Sequence, residues 1–230
     1  MMMKKRSAIR LVQSDIEIKH WMRDLPSVDE VRPAWCPCCR AASQEPGRAL
    51  GLHGHGVRER QVRGPLAPWG RPTTVWVGCR RYRCQHCSAV MLVVPRGIVC
   101  RRLFSIGAIA WALWLFGVEQ LPPAQVREGV SPWQVLGATA AAGWAQLGRW
   151  ARDVRRGRLL GNLPAAVGAG LRAVAQRTAM ALAALAPPAA WDAPPPEKLW
   201  QGALHVGGVH PDVSDVARRA HHRGSLSKRR

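Results

Sequence analysis

Two matched cysteine pairs constrain this chain more than any other feature. Cys36 and Cys39 form one C-x-x-C, Cys84 and Cys87 form a second, and residues 40–83 lie between them. Each C-x-x-C is a tight turn whose two sulfurs face the same side. Two such turns can present four thiolates tetrahedrally to one zinc ion. Zn2+ is therefore the expected cofactor, with Cys36, Cys39, Cys84 and Cys87 as its ligands. Four thiolates leave no open position for water, so the metal is expected to supply folding energy rather than catalysis.

The other thiols and the histidines fit this reading less directly. Cys38 offers a two-apart alternative within Cys36-Pro37-Cys38-Cys39, but the three-apart choice matches the second pair. Cys79 and Cys100 have no partner at ligand spacing and read as small buried residues. His53, His55 and His86 are superfluous beside four thiolates. A pair of C-x-x-C motifs could also be redox-active, but that chemistry calls for a βαβ setting, which the pattern does not show. An iron–sulfur centre is a further chemical alternative. The early residues Asp15, Glu17, Lys19 and His20 interrupt any apolar run after Met1, so no signal peptide is expected. A reducing, cytoplasmic setting follows, in which close cysteine pairs point to metal rather than to disulfides.

The surrounding pattern predicts an α+β fold: an N-terminal β-rich zinc ribbon, then an all-α helix-turn-helix-like bundle, then a basic disordered tail. The expected divisions are a leader over 1–34, the ribbon over 35–102, the helical domain over 103–160, an additional helix over 161–186, and a proline-rich linker with the tail over 187–230. Alternation at Ile16 and Ile18 suggests a short strand. Thr73 to Cys79 is β-branched and aromatic and continues through Arg83 as a strand; Ala89 to Val94 is another, ended by Pro95. Ser105 is a suitable N-cap for a helix to Phe116. The uncharged run Leu103–Val118 is shorter than the roughly 20 residues a membrane span needs, so it is expected to be a core helix packed on Trp144, Leu147 and Trp150, with no membrane partner. Pro122 or Pro123 opens a short helix to Glu128, with a turn at Gly129. From Pro132 a helical pattern runs to Arg156 with weak points at Gly137 and Gly143. Its last piece, Trp144–Arg156, aligns Leu147, Trp150 and Val154 on one face. A further helix is expected from Leu163 to Ala186, with Met180 among its apolar positions, stopped by Pro187.

Charge narrows the partner. Against 34 lysines and arginines stand only 14 acids, a net charge of +20. Such self-repulsion costs the compact state unless a polyanion relieves it, and nucleic acid is the usual one. Double-stranded DNA is the expected partner. RNA is the alternative, and a protein partner, such as a transposase or a component of transcription machinery, is the third. In the helix Trp144–Arg156, Gln146, Arg149, Arg152 and Arg156 point away from the apolar face. Gln and Arg suit adenine and guanine edges respectively. Arg80, Arg81, Arg83 and Arg155 are the expected phosphate contacts. No P-loop or nucleophile elbow is present, and the carboxylates are scattered singly, so a binding protein rather than an enzyme is expected.

The string Cys36-Pro37-x-Cys39, then a glycine- and arginine-containing stretch, then Arg80-Arg81-Tyr82-Arg83-Cys84-x-x-Cys87 resembles the N-terminal zinc ribbon of ISL3-like insertion-sequence transposases. The helices that follow are similar to the helix-turn-helix region behind such ribbons, so the resemblance covers about residues 34–158. The residues after Gly157 do not match the acidic-triad nuclease domain of those transposases. The resemblance thus implies recognition without cleavage: an accessory or regulatory DNA-binding protein related to mobile elements.

Overall fold

A computed structural model of the chain describes residues 10–137, 143–160, 163 and 170–208. It has the α+β character expected. Four strands, β1 (Arg10–Glu17), β2 (Leu52–Gly64), β3 (Thr73–Cys84) and β4 (Val90–Arg96), form one sheet in the order β1-β4-β3-β2. β2, β3 and β4 pair antiparallel in succession, and β1 joins β4 in parallel. A short helix, α1 (Ile18–Arg23), leaves β1 and carries the chain across one face of the sheet. Three bonds fasten that crossing. Trp21 Nε1 donates to Gly78 O at 2.7 Å, Arg80 Nε to Pro26 O at 2.7 Å, and the Tyr82 hydroxyl to Val28 O at 2.5 Å. Trp21, Tyr82 and Met91 are buried beneath it, and Val77 and Cys79 are buried on the sheet's other face.

The second layer is helical. α2 (Ile106–Gly117) begins at Ser105, whose Oγ accepts from Ala108 N at 3.1 Å as an N-cap should. Its sequence is apolar all round, and such a helix is stable only when surrounded. It is surrounded, by α3 (Pro123–Val130), α5 (Leu171–Ala184) and α6 (Pro195–Gly208), with α4 (Ala145–Arg155) packed mainly on α5. Small residues permit the closest approaches. A Cβ on Gly117 would strike the Gln176 backbone of α5, and one on Gly202 of α6 would strike the Leu182 carbonyl. The two layers meet without a spacer, because Arg63 N donates to Leu103 O at 2.8 Å and Ile106 N to Gly97 O at 2.8 Å.

Several expectations are corrected. The stretch expected as a leader is, from Arg10 onward, part of the sheet and its covering. Its contribution rests on pairing with β4, far away in sequence. Pro95 does not end its strand. The last β4 residue paired to β3 is Val93, so the missing N–H of Pro95 removes no bond from that ladder. Gly129 lies inside α3, and residues 132–136 are irregular rather than helical. Among the described residues, α3 ends at Val130 and the next α-helix, α4, begins at Ala145; part of the connection expected within the helix-turn-helix lies outside the described residues. Of the apolar positions expected in the helix from Leu163, Val174 and Leu182 are buried in α5 and Met180 is exposed.

The largest correction lies at 187–208. The expected linker is a 3-10 turn at Pro188–Ala190 followed by α6. Pro195 and Pro196 occupy the first turn of α6, where a missing N–H is harmless. Leu199, Trp200, Ala203 and Leu204 are buried in the helical core. The expected basic tail, Arg218 to Arg230, and the start of the helix expected from Leu163 lie largely outside the described residues. Among the described residues, no helix is long and apolar enough to cross a membrane.

Candidate metal centre

The two C-x-x-C turns fold alike although they sit in different surroundings. In the first, Cys36 N donates to Ala41 O at 2.8 Å and Arg40 N to Cys36 O at 2.9 Å. In the second, Cys84 N donates to Ala89 O at 3.0 Å and Ser88 N to Cys84 O at 3.0 Å. Each turn needs a left-handed residue at the same place, and Arg40 (φ 64°) and Ser88 (φ 57°) fill it. Non-glycine residues seldom adopt this conformation, so its repetition marks a shared geometric demand. The second turn grows directly from the end of β3. The first is pinned beside it by Gly51 N to Ser43 O at 2.7 Å and Gln85 N to Gly51 O at 2.9 Å.

The sulfurs of Cys36, Cys39, Cys84 and Cys87 consequently converge, all within 4.8 Å of one another. Cys36 Sγ is 3.7 Å from Cys87 Sγ, and Cys39 Sγ is 3.6 Å from Cys84 Sγ. Each short contact pairs a sulfur of one turn with a sulfur of the other, so the turns interlock around a common centre. Cys36 and Cys84 are buried, and Cys39 and Cys87 close the outer side. The four can hold one metal ion.

The electrostatics of the cluster are uneven. Burial opposes ionisation of Cys84, but the Cys87 and His86 N–H groups and the Cys39 and Cys36 thiols outweigh it and bring its pKa down to about 7. Burial and the three neighbouring thiols push Cys87 the other way, well above its ordinary value, despite the Ala89 N–H. Cys84 therefore ionises readily, while Cys87 would need a cation beside it to do so.

The remaining cysteines divide. Cys79 is buried as expected, and burial raises it to about 11 although Arg60 opposes this. Cys100, expected to be buried, is exposed because it lies in the surface connection between β4 and α2; Cys38 is exposed too.

The residues assigned to nucleic acid are scattered. Arg80 faces the covered side of the sheet, and its Nε is bonded to Pro26 O. Arg81 points to the opposite face, and Arg83 is exposed near the metal turn. On α4, Leu147, Trp150 and Val154 are buried as expected. Trp144 and Trp150 form an edge-on aromatic cluster with Phe104 (centroids 5.0 Å from Phe104 to Trp150). Arg149, Arg155 and Arg156 are exposed, Gln146 and Arg152 are half-buried, and Arg152 lies back over Gly148. Asp153 reaches across the layers to Arg102 at 2.5 Å, a pairing the sequence could not show because 51 positions separate the two. Comparison with protein-family models, with curated proteins and with solved structures found no match.

Proposed function

We propose that this chain is a zinc-stabilised protein that binds double-stranded DNA. The zinc half of the reading is supported by the sulfur geometry. Zinc–thiolate bonds of about 2.3 Å imply sulfur–sulfur edges of about 3.8 Å in a tetrahedron. The 3.7 and 3.6 Å contacts between the two turns approach that edge. Zinc would be held by Cys36, Cys39, Cys84 and Cys87, joining the end of β3 to the turn that precedes β2 and contributing folding energy.

The DNA half is carried by one observation: α4 is anchored through Leu147, Trp150 and Val154, which leaves Gln146, Arg149, Arg152, Arg155 and Arg156 off its buried face. In this reading α4 enters the major groove by itself, not as the second helix of a tight helix-turn-helix. The resemblance to ISL3-like transposases would make the protein an accessory or regulatory factor of mobile elements, a binding module and not an enzyme.

Binding to a duplex selected from a random library tests this. Affinity should fall steeply as salt rises. Arg149→Ala should cost roughly 1–3 kcal/mol on the selected site and relax preference at one base position. Equal small losses on selected and scrambled duplexes would remove α4 as the reading element.

A second reading has its own observation. Trp35, Trp69, Trp76 and Trp133 are each more than half exposed. Such side chains anchor protein partners. A protein complex of modest salt dependence, with no duplex binding, would favour it.

A further inference from the structure

The face of the sheet opposite α1 carries a cleft that the functional reading above leaves unused. It encloses about 530 Å³ and is lined by Arg58, Glu59, Arg60, Gln61, Arg101 and Arg102 over a floor that includes Leu11 and Leu92. Paired residues in a sheet project to the same side. Arg58 pairs with Cys79, Arg81 with Leu92, and Leu11 with Leu92, so Arg58, Arg81 and the floor share this face.

The arginines here do different things. Arg60 bonds to Val99 O at 2.6 Å and Arg102 O at 3.0 Å, and Arg102 pairs with Asp153; these two build the wall. The side chains of Arg58 and Arg101 are exposed and make no hydrogen bond or ion pair with the described residues. Arg81 lies on the same face but outside the lining, and its Nε is buried with no partner among the described residues. Arg101 is held at φ 58°, a conformation that non-glycine residues rarely adopt and that recurs at ligand clamps. Glu59 is the only carboxylate in the lining.

We infer that this cleft is a phosphate-binding site, in which Arg58 and Arg101 engage the oxygens of a nucleic-acid backbone beside Arg81. The inference rests on the DNA reading and deepens it. It gives the sheet layer a contact separate from α4, on the face opposite Arg80, whose Nε donates to Pro26 O. The ligand chemistry is that of a phosphate group, and the experiment separates a backbone phosphate from a free one.

The test uses the full-length metal-loaded protein in three forms: unaltered, Arg58→Gln/Arg101→Gln, and Arg149→Gln/Arg156→Gln. Duplex affinity is measured by fluorescence anisotropy over a series of salt concentrations. Pyrophosphate is titrated separately while the Arg81 Nε–H resonance is followed by NMR. The cleft variant should lower the slope of log affinity against log salt by about two, because each lost phosphate contact removes roughly 0.9. Its circular dichroism and metal content should be unchanged. An unaltered salt slope in the cleft variant, with normal duplex binding by the unaltered protein, overturns the cleft and spares the DNA reading. Pyrophosphate shifting the Arg81 resonance in a protein that binds no duplex overturns the DNA reading and its backbone source, and leaves a free-phosphate site.

Discussion

The two layers of this protein hold themselves together by different means. In α2 every residue except Phe116 is buried, and the helix is enclosed by three others. In β2, by contrast, only Leu52, Val62 and Gly64 are buried, and the stretch from His53 to Glu59 faces solvent. A strand with so little apolar burial gains little from the hydrophobic effect, which scales with the area removed from water, whereas β4 beside β3 is buried almost throughout. The four-sulfur cluster lies where the turn at 36–39 meets the end of β3, and a metal held there would fasten the two. The helical layer needs no such fastening. On the zinc reading, a metal cluster and a buried helix would do the same job on opposite sides of one seam.

Removing the metal should break this comparison open most forcefully. Structural zinc contributes on the order of 10–16 kcal/mol in isolated zinc-finger peptides, far more than any single contact here. Stripping the metal with a chelator, or making Cys84→Ser, should abolish hydrogen-exchange protection around the two turns and in β3. Protection in α2, α5 and α6 should largely remain. Simultaneous loss in both layers would mean that the seam at Leu103–Ile106 makes them one cooperative unit. Acid should mimic the chelator, because protons compete with the metal for thiolates. Cys84 is held down to about 7 whereas Cys87 is pushed up, so metal affinity should still be rising above neutrality. A chelator competition from about pH 6 to about pH 8 reads that slope directly.

The mirror experiment attacks the helical layer. Trp200 of α6 lies against Gly107 of α2, where a Cβ would fall 2.6 Å from its ring. Trp200→Ala should cost about 3–5 kcal/mol by removing that buried ring. Thermal unfolding followed by helical circular dichroism should show it, while metal stoichiometry stays near one. Loss of metal from this variant would refute the division of labour between the layers.

What the sequence revealed and what it hid follow from the range of the interactions involved. The sulfur cluster was legible because C-x-x-C spacing fixes each turn locally, and ligand chemistry then demands that the turns meet. Ser105 and α2 were legible for a similar reason, as a cap followed by an apolar run. β1 was half visible in the Ile16–Ile18 alternation, but its parallel partner β4 begins at Val90, and no local pattern announces that pairing. α6 was missed because its prolines read as a linker. Only the buried faces of Leu199, Trp200 and Ala203 against α2 and α5 make it a helix, and that is tertiary information. The exposure of Cys100 and the bond of Arg80 to Pro26 depend on how the chain crosses the sheet, which no spacing rule encodes.

A smaller change sharpens the role of the seam. Ser105 caps α2 through its side chain, while its own N–H donates to Arg63 O at 3.4 Å. Ser105→Ala removes the cap and keeps the cross-layer backbone bond. Denaturant unfolding should show a loss of about 1 kcal/mol, the ordinary value of an N-cap. The loss should appear in the helical signal, leaving the exchange protection of β3 unchanged. If β3 loosens too, the cap supports both layers.

The least perturbing comparison sets two cysteines against each other without unfolding anything. Cys79 lies in the sheet core, and burial raises its pKa to about 11 from the ordinary 9.0. Reactivity belongs to the thiolate, so in the native protein Cys79 should resist iodoacetamide near neutral pH. Cys100, exposed at the mouth of the arginine-lined cleft, should be alkylated readily, and peptide mapping by mass spectrometry distinguishes the two sites. The sign for stability also follows. Below about pH 9 both folded and unfolded Cys79 are neutral. Between 9.0 and about 11 the unfolded thiol ionises first, so stability declines as pH rises through that window and levels off above the folded value. Cys100→Ser, in contrast, should change stability by no more than about 0.5 kcal/mol, as exposed substitutions do. Fast alkylation of Cys79 in the metal-loaded protein would show that the sheet core opens even when the cluster is intact. The metal would then secure the two turns but not the strands behind them.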